Sequence, residues 1–559
     1  MDVSTENYQH PCAWDMAIES VPLPDLFARS TRAAPSAPLA EFLGRTYSYA
    51  DLHAEARRFA AGLQAAGIAK GDRVGLFLPN VPIYISAYYG AMMIGAVVVN
   101  FSPLYSPEEL AEQVEDSGTR ILVTIDVASL LPTALKVLDA SSLQRVVAGR
   151  LGDMLPLAKR LALKVLGRKQ IAAIPDRPDV STWKDMLGGN DPAPVTIDPN
   201  RDLALLQYTG GTTGTPKGAM LTHANLAANA LQVDAIDPFE GRDVILGVLP
   251  MFHVFANTCV LNRTVAKGGC IALLPRFDAG QALKAINRVK PTAFPGVPTM
   301  YQALLDHPNI TKTDFSSLKI CISGGAPLPA PLRDKFEAVS GARLVEGYGL
   351  TESAGVVSTN PYVGTRKPGT IGQVLPQTRV MLRDKEDANS AAPPGDPGEL
   401  VIRGPQIMQG YWNRPDAAAT AFVVIDGQPW LRTGDIAVID EEGFIAIVDR
   451  SKDMIAVGGF KVFPSRVEAV LLENPAVKEA LVIGVPDAYL GELPAAYITL
   501  NDADELDEHS VTDPELLTAW LNSRVGKHER VKEIVIRGEL PKTMIGKLDR
   551  KALRSEVLG

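Results

Sequence analysis

The sequence predicts an α/β protein in two unequal parts. The first is a large N-terminal part with parallel and mixed sheets and a small β-structured subdomain, and the second is a small α+β C-terminal part. Three observations carry this. The chain has 559 residues, and single cores stop growing at roughly 250–300 residues. Apolar residues make up 46% and charged residues 21%, the balance of a globular chain. Up to residue 449, apolar strand-like runs alternate with helical ones, as in a parallel sheet.

The elements follow in order. Residues 49–66 carry an amphipathic helical pattern, and Ser48-Tyr49-Ala50-Asp51 reads as its cap. The run 73–78 is strand-like, 83–94 helical and 96–100 strand-like again. Strands are expected at 203–208, 243–249, 318–323 and 444–448. The Pro-rich polar stretch 384–398 predicts a surface hairpin loop. After Asp449-Arg450-Ser451-Lys452 a smaller block begins, with a helix at 465–472 and strands at 477–485 and 495–500. The predicted division is 1–449 and 453–559, joined through 450–452, which the resemblance described below implies is a hinge.

Composition excludes several classes. With 55 Lys+Arg against 64 Asp+Glu the formal net charge is −9, and aromatics are 6%. Neither a basic field nor a stacking surface for nucleic acid is indicated. Cys12, Cys259, Cys270 and Cys321 are far apart and form no C-x-x-C pair, so reduced thiols are expected. The N-terminus has no apolar signal region, and no run of about 18 apolar residues occurs. A cytoplasmic protein is expected.

One stretch departs from the acidic balance. Residues 154–175 contain no Asp or Glu but carry Lys159, Arg160, Lys164, Arg168 and Lys169. Met154, Leu155, Ala158, Leu161, Ala162, Val165 and Leu166 fall at one-face helical spacing over 154–169. Two readings fit: an ordinary helix packed on its own domain, or a helix lying on an anionic membrane surface.

The most informative segment is Tyr208-Thr-Gly-Gly-Thr-Thr-Gly-Thr-Pro-Lys217-Gly-Ala-Met-Leu221. It follows an apolar strand and precedes a helix pattern near Ala224. Gly210, Gly211 and Gly214 let backbone approach an anion closely. The hydroxyls of Thr209, Thr212, Thr213 and Thr215 can donate to phosphate oxygens, and Lys217 adds a positive charge. The lysine lies between Pro216 and Gly218, so this is not a Walker A loop.

This segment resembles the signature loop of the acyl-adenylate-forming superfamily, which includes acyl-CoA ligases, adenylation domains and luciferases. Further signatures follow in order: Leu249-Pro-Met-Phe-His253, Ser323-Gly-Gly-Ala-Pro327, Glu346-Gly-Tyr-Gly-Leu-Thr-Glu352, Arg432-Thr-Gly-Asp435, Asp449-Arg450, and Pro541-Lys-Thr-Met-Ile-Gly-Lys547. They span about residues 40–550. Within the superfamily, Gly404-Pro-Gln-Ile-Met-Gln-Gly-Tyr-Trp412 and Gly459-Phe-Lys-Val-Phe-Pro464 look most like the bacterial long-chain fatty-acid–CoA ligases.

The resemblance implies two steps. A carboxylate attacks the α-phosphorus of ATP, giving acyl-AMP and pyrophosphate; the coenzyme A thiol then displaces AMP. It implies that Lys547, Glu352 and His253 are the catalytic residues. ATP would be bound by Thr209–Gly214, Lys217, Gly325, Ala326, Glu346, Gly347, Tyr348, Thr351, Asp435, Arg450 and Lys547. Thr209 and Glu352 would hold Mg²⁺. Phe252, His253, Val254 and Phe255 would line the acyl site, with Gly324, Gly347 and Gly349 leaving room. Arg276, Gly458, Gly459 and Phe460 would meet coenzyme A, and Lys452 would be the hinge about which the small part turns. Lys542 is expected to be solvated. The implied activity is a medium- to long-chain acyl-CoA ligase, with small-molecule partners (the acid, ATP and coenzyme A), no nucleic acid, a monomer or homodimer, and peripheral association with the inner face of the membrane left open. Dicarboxylate or aryl-acid ligation, and loading of a carrier protein in trans, stay open. A non-enzymatic nucleotide-binding regulator is disfavoured because Lys547, Glu352 and Asp435 are all present.

Overall fold

The computed structural model describes residues 7–559 apart from 190, 210–215, 385–386, 388, 394, 451, 459, 488, 502–505, 507–509 and 544–545. Two large sheets organise the N-terminal part. One has seven strands in the order Val180–Thr182, Arg145–Gly149, Thr119–Ile125, Arg73–Leu76, Val97–Asn100, Leu203–Thr209, Lys217–Thr222. All its pairs are parallel except the last. The other has nine strands, and its interior pairs, from Arg343–Tyr348 across to Pro38–Phe42, are parallel. Antiparallel pairs finish both edges.

The helix Pro82–Met93 shows why the large core holds together around the later site. Eleven of its twelve residues are buried, as expected of a helix apolar on every side. Its tyrosines still need partners for their hydroxyls. Tyr88 and Tyr89 donate to the side chains of Asn257 and Asn262, each at 2.9 Å. Those asparagines begin and end a π-helical turn, Asn257–Asn262, just after His253. The predicted cap is present: Ser48 and Asp51 form a reciprocal capping box on Tyr49–Ala65.

A third, wholly antiparallel sheet contains Arg379–Arg383, Gly398–Arg403, Gln428–Ile439, Phe422–Ile425 and Ile445–Arg450. The expected polar hairpin joins its first two strands. The fourth sheet, in the C-terminal part, has its own cores. Ala480 and Val482 face one cluster, with Val467, Leu471, Leu517 and Leu521. Leu481, Ile483 and Val485 face another, with Leu540 and Leu553. Alternation along Val477–Asp487 thus buries both faces.

The helix expected near Ala224 is present as His223–Ala235, and the strand Lys217–Thr222 precedes it, paired antiparallel with Leu203–Thr209. One expectation is corrected: 154–169 is not one continuous helix. Pro156 separates Leu151–Met154 from Leu157–Leu166, and Met154 and Leu155 turn into the core. The cysteines are free, and all but Cys12 are buried.

Candidate active site

A cavity of about 2290 Å³ opens where the nine-stranded sheet, the hairpin of the seven-stranded sheet, the antiparallel sheet and the C-terminal part meet. The parallel strands Ile320–Gly324 and Arg343–Tyr348 point their carboxyl ends into it and deliver Gly324–Ala326 and Glu346–Thr351. Ligand sites of open α/β sheets lie at such ends.

Lys547 enters the cavity from the C-terminal part. Its Nζ lies 2.6 Å from where a Cβ on Gly325 would stand, and Gly325 has φ +82°. Only glycine leaves this path open. The loop bearing Lys547 is ordered by its own bonds. The Gly546 amide donates to the Thr543 carbonyl (2.8 Å), and the Lys547 amide to the Thr543 hydroxyl (3.2 Å). Lys542 is not a free surface cation: it pairs with Glu479 at 2.7 Å. Thr299, from the large part, donates to the Gly546 carbonyl at 3.0 Å. Burial, with Arg450 nearby, pulls the Lys547 ammonium down to about 8.

Asp435 and Arg450 face each other across antiparallel strands. The Arg450 Nε lies 3.2 Å from Asp435 Oδ1, and the Tyr348 hydroxyl donates to Oδ2. Each carboxylate oxygen keeps a lone pair for a further donor such as a ribose hydroxyl. Burial raises the Asp435 carboxyl despite Arg450. Burial also pushes Glu346 up to about 8. Burial thus favours its protonated form beside the cavity that it lines.

Thr209 and Glu352 both line the cavity. The Tyr411 hydroxyl donates to Glu352 Oε1 at 2.6 Å, and Lys217 Nζ lies 5.3 Å from the centre of the Tyr411 ring. Tyr411 thus ties the acidic and basic residues together, a role no spacing rule would have found. Its neighbours Gly410 and Trp412 bond the hairpin backbone at Met220 and Gly218. A hydroxyl and a carboxylate with unused lone pairs form a hard-oxygen donor set, which suits Mg²⁺ completed by phosphates and water. Among the described residues, no group of three or more His, Cys, Asp or Glu competes for such an ion. Thr351 lines the same wall, while Gly210–Gly214 lie outside the described residues.

The four expected acyl-site residues, Phe252–Phe255, all line the cavity. Burial and Lys547 push His253 down to about 3, so its imidazole is neutral. Its Nδ1 accepts the Phe255 amide at 3.3 Å. The Phe255 ring lies 3.1 Å from where a Cβ on Gly324 would be, and Gly347 also faces the cavity. Gly349 borders the cavity too, but its missing side chain is explained by the chain itself, because a Cβ there would strike the Gly355 carbonyl. The cavity extends past these residues to Val233, Ile236, Cys259 and Tyr362. Their sequence contexts read simply as buried helix and loop. Behind that wall, Arg263 pairs with Asp237 and, at 2.7 Å, with Asp243.

The remaining residues stand elsewhere. Arg276 is exposed, outside the cavity. Gly458, with φ +55°, is not among the residues that line it; Gly459 lies outside the described residues. Lys452 lines the cavity beside Arg450. Asp449 accepts the Ser465 amide at 2.9 Å, at the start of the helix Pro464–Leu471.

A two-part fold that carries an aspartate–arginine pair, a carboxylate–hydroxyl pair and an inserted lysine around one cavity defines a nucleotide-dependent, carboxylate-activating enzyme. The comparisons agree. The model of the AMP-binding enzyme family matches residues 27–412, that of its C-terminal domain matches residues 466–547, and the chain belongs to this family. It is 39% identical to a long-chain-fatty-acid–CoA ligase of Bacillus subtilis (strain 168), over 98% of this chain and 97% of that protein. A feruloyl-CoA synthase of Amycolatopsis sp is 36% identical over 94% and 97%. Among solved structures, ATP-bound MatB from Rhodopseudomonas palustris superposes with a TM-score of 0.82 at 30% identity, covering 95% and 98%.

Proposed function

We propose that the protein converts a medium- to long-chain fatty acid, ATP and coenzyme A into acyl-CoA, AMP and pyrophosphate. The observation that carries this reading is Lys547 reaching over Gly325 into a cavity with an apolar extension. In the first step the acid's carboxylate oxygen attacks the α-phosphorus and pyrophosphate leaves. Both partners are anionic, so the step needs cationic groups and oriented donors. Lys547 bridges the acyl carboxylate and the α-phosphate. Asp435 accepts the ribose hydroxyls, and Glu346 and Gly325–Ala326 border the base. Thr351 and Lys217 meet the phosphates. Thr209 and Glu352 would hold Mg²⁺, which supplies further charge neutralisation there. His253, neutral, offers a hydrogen bond beside the carboxylate.

In the second step the thiol sulfur attacks the acyl carbon, AMP leaves, and the thiol proton is released. The insertion of Lys547 into the cavity supports the first step as the arrangement seen here. The small part turns at Lys452 for the second, bringing Gly458–Phe460 to the pantetheine path, while Arg276, on the large part, meets the nucleotide end of coenzyme A. Four apolar or weakly polar residues at the far end favour a hydrocarbon tail. The aspartates around Arg263 and Lys267 outnumber the cations, so a second carboxylate is disfavoured there. The ligase works in the cytoplasm and meets its acid at the membrane's inner face.

The test is a coenzyme A consumption assay over acids of graded length, dicarboxylates and benzoates. Thioester formation that depends on ATP and coenzyme A and is best with long monocarboxylates is expected. No thioester with any acid sinks the reading. Lys547→Ala should lower acyl-AMP formation by about 10²-fold or more and spare thioester formation from supplied acyl-AMP.

A further inference from the structure

The helix Leu157–Leu166 buries none of its ten residues. Twelve large apolar side chains are exposed among the described residues, and four belong to this one helix: Leu157 at 72%, Leu161 at 54%, Val165 at 74% and Leu166 at 86%. The first three recur every fourth residue and form a stripe; Ala158 and Ala162 widen it. The helix therefore turns its main apolar stripe away from its own domain.

The helix is nonetheless fixed to the body. Leu163 packs inward, Lys159 donates to the Leu43 carbonyl at 2.8 Å, and Arg160 pairs with Asp153 at 2.9 Å. Lys164, Arg168 and Lys169 are exposed at the stripe's end, and the acid-free stretch places no carboxylate beside them in sequence. A protein of net charge −9 thus carries an outward apolar stripe edged by cations.

We propose that Leu157–Leu166 is an interfacial helix that docks the protein on an anionic lipid bilayer surface. The proposal rests on the fatty-acid reading above and deepens it by naming the surface that meets the membrane. Charge selects the partner. An apolar stripe edged by the exposed cations Lys164, Arg168 and Lys169 matches anionic headgroups over acyl chains. A second copy would bring the same cations against themselves. The contact is peripheral, since among the described residues no helix is long and apolar enough to cross a membrane.

The experiment is cosedimentation of the full chain with vesicles of phosphatidylcholine alone or with about one-third phosphatidylglycerol. Two variants are compared with the parent: Lys164→Gln/Arg168→Gln/Lys169→Gln and Leu161→Ser/Val165→Ser. The parent should partition to the anionic vesicles only. The charge variant should bind about 10²-fold more weakly, at about fivefold for each cation removed. The Leu/Val variant should also release. Equal partitioning of all three proteins, or binding indifferent to phosphatidylglycerol, overturns the proposal. So does a dimer in solution that the Leu/Val substitution dissolves. Unchanged thioester formation from octanoate in micelle-free buffer shows that both variants are folded. Inactivity of the parent on every acid would defeat the ligase reading while leaving the vesicle result readable.

Discussion

Lys547 is a cation held where cations are costly. Burial and Arg450 bring its ammonium down to about 8, while Asp435 offsets part of the loss. Its charged form is complete well below that value and disappears as pH rises through it. The kcat/KM of the adenylation half-reaction, which reports the free enzyme, should therefore fall as pH rises past about 8. In Lys547→Arg the fall should vanish from the accessible range, because guanidinium stays charged. A pyrophosphate-release pH profile of both proteins checks this; an unchanged alkaline limb in the arginine variant would assign the titration to another group. The lysine was legible in the sequence through its motif. The residues that govern it, Gly325 beneath it and Thr299 beside the preceding glycine, lie more than 200 positions away, where spacing cannot point to them.

Among the elements, the helix Pro298–Leu305 is the one whose part the sequence concealed. Near its start Thr299 holds the Gly546 carbonyl; at its end Asp306 pairs with Lys478 at 3.0 Å. One short helix thus meets the C-terminal part twice, at the lysine loop and at Lys478. Thr299→Val should slow acyl-AMP formation about fivefold to tenfold, the worth of one hydrogen bond. It should leave thioester formation from supplied acyl-AMP intact, and Thr299→Ser should restore the first step. Equal loss in both half-reactions would mean a general packing defect. Most strands and the capping box of Tyr49–Ala65 could be read from periodicity, because local pattern determines them. The strand Lys217–Thr222 could not: its half-buried pattern, ambiguous in so short a run, is settled by pairing with Leu203–Thr209 and the Gly410–Trp412 backbone.

At the scale of the whole molecule, named bonds among the described residues tie the small part to the large one near the site. Besides those to Pro298–Leu305, Asp449 accepts the Ser465 amide at the N-terminus of Pro464–Leu471. Burial pushes the Asp449 carboxyl up to about 6. Its acceptor strength is full above that value and fades as pH falls through it. Asp449→Ala should loosen the seating, seen as faster proteolytic cleavage around 451–463 in the ligand-free chain, with little change in unfolding midpoint. Cleavage at the parental rate would show that the bond does not hold the two parts together. That there are two parts follows from length and pattern; that they share one cavity does not, since packing between distant segments leaves no period in a sequence.

Because that cavity takes its walls from both parts, the small part is also a shutter against water. A mixed anhydride left behind an open wall is hydrolysed, and each such loss consumes ATP and releases AMP without yielding thioester. Under the proposed turn of the small part, the ratio of AMP formed to acyl-CoA formed is expected to rise above one in proportion to the delay before the second arrangement, which a side-by-side assay of both products checks.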